Sequence, residues 1–287
     1  MRIHLSLILL ISFLFTQAQK KEGGNLAKSK AIKAFGIDVN EVQGNITDHF
    51  FTAPYFYNAS RVVRVYTPPN YRGIKSYPVM YIHDGQNIFY DSTSYLGEWY
   101  ADEIMDSLCK AKGFECILVA IDHLGEKRMQ DFNPWDNMQF GKGYGAQYID
   151  WIVQDLKPFI DRNYNTLPDA SNTGLIGASL GATITHYAAL KYPNTFGKIA
   201  IYSPSYWVSD QELKKHTLQY SSAQKIVAEV LIGREGLRNR IRAKRQAKVL
   251  ASKAHITITH TFDRKGKHNE KLWTRHFAET VQHLMAN

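Results

Sequence analysis

The stretch Gly177-Ala178-Ser179-Leu180-Gly181 decides how this 287-residue chain is read. Just before it lies a short apolar run, Gly174-Leu175-Ile176. Just after it, Leu180, Ile184, Tyr187 and Ala188 recur at helical spacing. Strand, sharp turn, helix is the context that holds a serine on a strained corner with its hydroxyl exposed. The glycines fit that corner, because side chains at Gly177 and Gly181 would crowd the place where strand and helix approach.

Outward from this corner, strands alternate with helices. Residues 45–69 read as two strands, the second alternating over 61–66 and stopped by Pro68-Pro69. A buried strand at 79–82 runs into His83-Asp84-Gly85-Gln86-Asn87. A helix is expected at 98–110, a strand at 116–121, a long connection over 122–145, and then an amphipathic helix carrying Tyr148, Ile152, Leu156 and Phe159. Strands follow at Lys198–Tyr202, Ile226–Ile232 and Ile256–Phe262, with a basic helix at 237–253 and a closing helix at Glu270–Met285. Strands separated by helices imply an α/β fold with a mainly parallel central sheet and helices on both faces. The opening strands have no helix between them, so that edge should be antiparallel. There is no internal repeat and no linker, so residues 45–287 read as one domain.

A serine hydroxyl becomes a nucleophile when a base takes its proton and a third group orients the base. The loop Asp263-Arg264-Lys265-Gly266-Lys267-His268 after the last strand offers His268. The segment Gly233-Arg234-Glu235-Gly236 after the preceding strand offers Glu235 as the acid. Asp263 is the rival acid, and a salt bridge to the neighbouring arginines is the alternative role of Glu235. The order Ser179, Glu235, His268 is that of an α/β-hydrolase. With 11 histidines in the chain, position must discriminate among them. His255 and His260 fall on a strand, and His186, His276 and His283 on helices, where packing or surface roles suffice. The developing oxyanion needs two donors, expected from the backbone N–H groups of Leu180 and Gln86. Asp84 and Asn87 flank the second donor and either bind substrate hydroxyls or hold the turn through bonds to the backbone.

Composition sets the boundaries of this reading. Arg2, an apolar run over 5–15 and Thr16-Gln17-Ala18 read as a secretory signal peptide cut after Ala18. Residues 19–44, Lys-rich and Gly-punctuated, read as an N-terminal arm. No later apolar run is long enough to cross a bilayer, so no stable membrane insertion is expected. Cys109 and Cys116 are the only cysteines, open to pairing in an oxidising compartment or to life as two buried thiols. Much of the net charge of +9 crowds one segment: Arg234, Arg238, Arg240, Arg242, Lys244, Arg245 and Lys248. A solvated helix face accounts for it better than an anion-binding patch, and no nucleic-acid motif accompanies it. His83-Asp84 and Asp122-His123 lack a further ligand at metal-site spacing, so no metal and no cofactor is expected.

Several stretches resemble the esterase D-like branch of the α/β-hydrolases. These are Tyr77-Pro78-Val79-Met80-Tyr81-Ile82-His83-Asp84-Gly85-Gln86-Asn87, Leu156-Lys157-Pro158-Phe159-Ile160-Asp161, the Ser179 turn, Ser203-Pro204-Ser205-Tyr206-Trp207, and Gly266-Lys267-His268-Asn269-Glu270 with Trp273. Feruloyl, acetylxylan and siderophore esterases, S-formylglutathione hydrolases and mycolyltransferases belong to that branch. The resemblance implies Ser179 as nucleophile, His268 as base, Gln86 and Leu180 as oxyanion donors, and Trp207 lining the cleft. The acid carries over less cleanly, since Glu235 sits close to the glycine that ends its strand. Ala182 stands where many relatives have glycine.

The implied activity is an exported serine carboxylesterase acting on a carbohydrate-linked (acetyl or feruloyl) ester or a siderophore ester. The alternatives are an acyltransferase on the same residues and a non-catalytic binding module of the same fold. Aromatics of the long connection, Trp135 among them, are candidates for stacking on a sugar or phenolic ring. A self-packed surface loop is the plainer reading of that connection. Nothing in the sequence indicates an oligomeric state.

Overall fold

The computed structural model describes residues 44–286. The expected signal peptide, and all but the last residue of the expected arm, lie outside the described residues. Eight strands form one sheet: β1 (Asn45–Ala53), β2 (Ala59–Thr67), β3 (Val79–His83), β4 (Ile117–Ile121), β5 (Thr173–Ala178), β6 (Lys198–Tyr202), β7 (Ile226–Ile232) and β8 (Ile256–Phe262). Their order is β1-β2-β4-β3-β5-β6-β7-β8. β1 and β2 pair antiparallel, as do β2 and β4, and every later pair is parallel. The antiparallel edge is where the sequence put it.

The central strands β3, β4 and β5 are buried at every residue. Helices cover both faces, so these strands carry continuous apolar runs instead of an alternation. Successive side chains still divide between two cores. Val79 and Tyr81 of β3 join one core, while Met80 and Ile82 join the other. The first core also holds Ile149, Ile152 and Leu156. The second holds Ile104 and Met105 of helix α1 (Ala101–Lys112) and Phe277 and Val281 of the closing helix. The outer strand β8 is different, with a single buried residue, Ile256, followed by a mostly exposed run of Thr and His that suits a sheet edge.

Three local features depart from the sequence reading. The long connection contains a helical turn, α2 (Arg128–Asp131), and is pinned to β2 by a buried pair, Arg61 Nη2 to Asp131 Oδ1 at 2.8 Å. The amphipathic helix is three pieces: α3 (Gly145–Trp151), a π turn (Ile152–Leu156) and α4 (Lys157–Asn163). Pro158 lacks the N–H that would bond the Gln154 carbonyl, so the regular ladder is interrupted there. After α5 (Leu180–Lys191), which follows the serine, an unexpected helix α6 (Asp210–Gln219) appears. Its apolar stripe is almost absent, since only Leu213 and Thr217 are buried.

The basic helix is α7 (Leu237–Ala251) and the closing helix is α8 (Glu270–Met285). Arg242 and Arg245 of α7 pair with Asp210, and Arg240 lies over the Phe262 ring at 4.5 Å, as on a solvated face. Cys109 and Cys116 are both free and buried, which closes the disulfide alternative in favour of two thiols. Burial pushes the Cys116 thiol well up. Among the described residues no helix is long and apolar enough to cross a membrane.

Candidate active site

Ser179 sits between β5 and α5 with φ 60° and ψ −117°, a conformation that costs on the order of 1–3 kcal/mol for a residue with a side chain. The surrounding structure forces it. A Cβ on Gly177 would lie 2.3 Å from the Gly181 backbone, and one on Gly181 would lie 3.0 Å from Asp84 Oδ2 and 3.2 Å from His83 Cβ. The Ser179 N–H donates to the Tyr202 carbonyl at 2.9 Å, and the Ser179 carbonyl accepts from Ser205 N–H at 3.0 Å. The hydroxyls of Ser179 and Ser205 are hydrogen-bonded at 3.0 Å.

Leu180 is the first residue of α5, so its N–H has no carbonyl one turn back to bond. Gln86 lies in a 3₁₀ turn, Gly85–Asn87, whose first bonded N–H is that of Asn87. The Gln86 side chain clamps the turn to the end of β4. Its Nε2 donates to the His123 carbonyl at 2.9 Å and its Oε1 accepts from His123 N–H at 3.1 Å.

His268 lies in the loop before α8, and its Nδ1 is 3.1 Å from Glu235 Oε2. The Glu235 side chain is only 2% exposed, against 37% for His268. Oε1 of Glu235 accepts from the Gly233 N–H at 3.1 Å and from the Ser203 hydroxyl. Burial raises the Glu235 carboxyl, but the bonds from His268, Ser203 and Gly233 outweigh it and hold it below its ordinary value. The rival acid is occupied elsewhere. Asp263 accepts from Lys265 N–H at 2.8 Å and Gly266 N–H at 2.9 Å, and it meets Arg275 and His276 at 2.7 and 3.1 Å. Its partial burial is overcome by His276, the two N–H groups and Arg275, which bring it down to about 2.

Ser179 and His268 line one cavity of about 420 Å³. No hydrogen bond joins them among the described residues, where the serine hydroxyl is turned to Ser205. Asp84 and Asn87 also line this cavity, and both hold structure at the same time. Asp84, itself at φ 62°, takes a two-point contact from Arg128 at 2.5 and 2.8 Å. Burial would raise the Asp84 carboxyl, but the Arg128 charge and hydrogen bonds hold it low. Asn87 Oδ1 accepts from Tyr95 N–H at 3.2 Å.

The two expected tryptophans are not brought to this cavity. Trp207 is exposed on a 3₁₀ turn with Phe140 at its edge, 5.7 Å between centroids. Trp135 packs edge-on against Tyr187 at 5.3 Å. The second half of the long connection is tied to the turn that follows Ser205. Asn137 Nδ2 donates to the Val208 carbonyl at 3.0 Å and Ser209 Oγ donates to Asn133 Oδ1 at 2.7 Å.

The first half of that connection supplies the wall instead, with His123 and Arg128. Tyr95, Leu96 and Trp99 form an apolar side, and Glu270 and Trp273 come from α8. Burial pushes the Glu270 carboxyl up. Of these, only Glu270 and Trp273 stood in a stretch the sequence singled out, beside His268, and neither carried a site role there. Burial brings His83 down to about 3, and its Nδ1 is bonded to the Tyr148 hydroxyl at 2.8 Å, so it is a packing histidine. Glu98, Asp102 and Glu103 place carboxylate oxygens within 4.8 Å of one another at the start of α1, a grouping that sequence spacing did not flag. Burial and the adjacent Glu103 raise Asp102 to about 9.

The family model described as "Putative esterase" matches residues 56–284. The chain belongs to this esterase family. It is a carboxylic ester hydrolase of the α/β-hydrolase fold. The uncharacterized protein YbbA of Bacillus subtilis (strain 168) is 30% identical over 180 residues, 60% of this chain and 67% of that protein. Among solved structures, the enterobactin esterase FES of Shigella flexneri superposes with a TM-score of 0.70 at 18% identity, over 86% of this chain and 60% of that one. A CE1 ferulic acid esterase of Anaeromyces mucronatus, in complex with ferulic acid, gives 0.66 at 19%, over 86% and 93%. At such identities the structural likeness speaks for the fold.

Proposed function

We propose that the chain is an exported serine esterase in which Ser179 is the nucleophile, His268 the base and Glu235 the group that orients it. The observation that carries this reading is the 3.1 Å contact from His268 Nδ1 to the buried Glu235 carboxylate, with the His268 ring lining the same cavity as Ser179. A carboxylate at Nδ1 fixes the proton on that nitrogen and leaves Nε2 with the lone pair.

Rotation of the Ser179 hydroxyl from Ser205 toward Nε2 completes the pair. The Ser179 proton then passes to Nε2 as Oγ bonds the ester carbonyl carbon, and the carbonyl oxygen takes the negative charge. The free N–H groups of Leu180 and Gln86 are the donors for that charge. Collapse breaks the bond to the alcohol oxygen, which leaves with the proton from Nε2. Water, deprotonated by the same nitrogen, releases the acid and restores Ser179. These steps use side chains, backbone and water.

The cavity is apolar along Tyr95, Leu96 and Trp99 and polar along Asp84, Arg128 and Glu270. That combination suits a carbohydrate-linked acetyl or feruloyl ester, or a siderophore ester, better than a plain aliphatic one. The test is hydrolysis of short-chain nitrophenyl esters by the mature protein beside Ser179→Ala, followed by acetylated, feruloylated and siderophore esters. Equal turnover by both proteins rejects the assignment of Ser179. Export is tested by finding whether secreted protein begins after Ala18.

A further inference from the structure

Ser203, at the end of β6, is fully buried and has φ 48°. Its hydroxyl donates to Glu235 Oε1, and its Oγ accepts from Trp273 Nε1 at 2.9 Å. An indole N–H can only donate. Ser203 Oγ therefore spends an acceptor site on Trp273, and its own hydrogen is left pointing at Glu235. Gly233 N–H adds a second donor to the same carboxylate oxygen at 3.1 Å. Trp273 also stands edge-on to the His268 ring, 5.4 Å between centroids. One tryptophan thus touches the histidine directly and reaches its acid through a serine.

We infer that Ser203 is a positioning residue of the catalytic group, and that the chain of donors from Trp273 through Ser203 holds Glu235 ionised and aimed at His268. This rests on the proposed esterase reading. A carboxylate 98% hidden from water stays charged only when donors replace its hydration. Glu235 and His268 are hydrogen-bonded to each other, so removing a donor to the carboxylate raises the proton affinity of the bonded pair, whichever atom receives the proton. The other charged groups facing the pair are Glu270 on α8, beside His268, and the Arg128–Asp84 pair on the cavity wall, and neither substitution below alters them.

The test is Ser203→Ala, Trp273→Phe and the double variant. In Ser203→Ala the acid-side midpoint of the kcat/KM profile should rise by about one pH unit, the scale of one charge-assisted hydrogen bond. kcat should fall about tenfold with KM nearly unchanged. Trp273→Phe should move the midpoint the same way by less, and the double variant should match Ser203→Ala alone, because the indole N–H acts through Ser203 while the phenyl ring keeps the edge contact with His268. The same midpoint read from the His268 ring resonance by NMR needs no turnover, so a failure of this inference is separable from a failure of the esterase reading. An unmoved midpoint in Ser203→Ala, or shifts that add in the double variant, overturns it. A lower melting temperature with an unmoved midpoint assigns Ser203 to packing and overturns it as well.

Discussion

His268 Nδ1 lies 3.1 Å from Oε2 of Glu235, a residue 33 positions earlier on a different strand end. Asp263, only five positions from His268, faces Arg275 and His276 instead. Closeness in sequence therefore does not select the partner of His268. The loops after β7 and β8 are drawn together by the Arg234 N–H bond to the Gly266 carbonyl at 2.8 Å, which sets the histidine over Glu235.

Glu235→Gln should lower kcat on a nitrophenyl ester by about a thousandfold, because an amide no longer fixes the imidazole in its productive form. Asp263→Asn should stay within about threefold, because Asp263 faces Arg275 and His276 and not the reacting groups. Steady-state kinetics of the two variants decide between the acids, and the reverse ranking transfers the role to Asp263.

Activity should fall as acidification protonates the base, since a protonated base accepts nothing. Glu235 is held below its ordinary value by its hydrogen bonds and stays ionised in weakly acidic solution. Asp263 sets a separate stability window. Its folded value of about 2 lies below its ordinary 3.8, so its contribution is complete above about pH 4 and is lost as the pH falls toward 2. Melting curves of wild type and Asp263→Asn should differ at pH 6 and converge near pH 2.

Gly177→Ala should destabilise the fold by about 2 kcal/mol or more, since its Cβ would lie 2.3 Å from backbone that cannot step aside. Gly181→Ala should cost less, because its nearest neighbour is the Asp84 carboxylate at 3.0 Å, and it should disturb turnover through that cavity wall. Urea titration measures the first effect and KM the second. Unfolding curves that superpose on wild type for Gly177→Ala contradict the close approach.

Arg128→Ala removes the partner of Asp84, whose side chain is 12% exposed, and leaves that charge in the wall of the cavity. A loss of about 1–3 kcal/mol is expected, the upper part reduced by the water that reaches Arg128. KM should rise together with it. By contrast Trp207→Ala, away from the cavity lining, should change kcat/KM for a small ester less than about twofold. A large loss from Trp207→Ala returns that residue to the site.

The sheet was largely legible because its evidence is local. The apolar runs of β3, β4 and β5, the alternation in β2, and the glycines around Ser179 each express a constraint acting over a few residues. Helix α6 was not, because most of its surface faces water and its pattern carries little periodicity. The π turn before Pro158 shows only as a proline within an otherwise continuous amphipathic pattern.

By itself the sequence determined the fold class, the strained serine, the histidine after the last strand and two candidate acids. All of these follow from residue type and from distance along the chain. Tertiary structure alone brought Glu235, which its place after the strand already favoured over Asp263, to His268, set Ser203 and Trp273 behind it, and built the cavity from Tyr95, Arg128 and Glu270 while sending Trp135 and Trp207 elsewhere. The physical reason is the strand order. Partners tens of residues apart meet only where parallel strands end on the same edge of the sheet, and no local period records which loops that edge brings together.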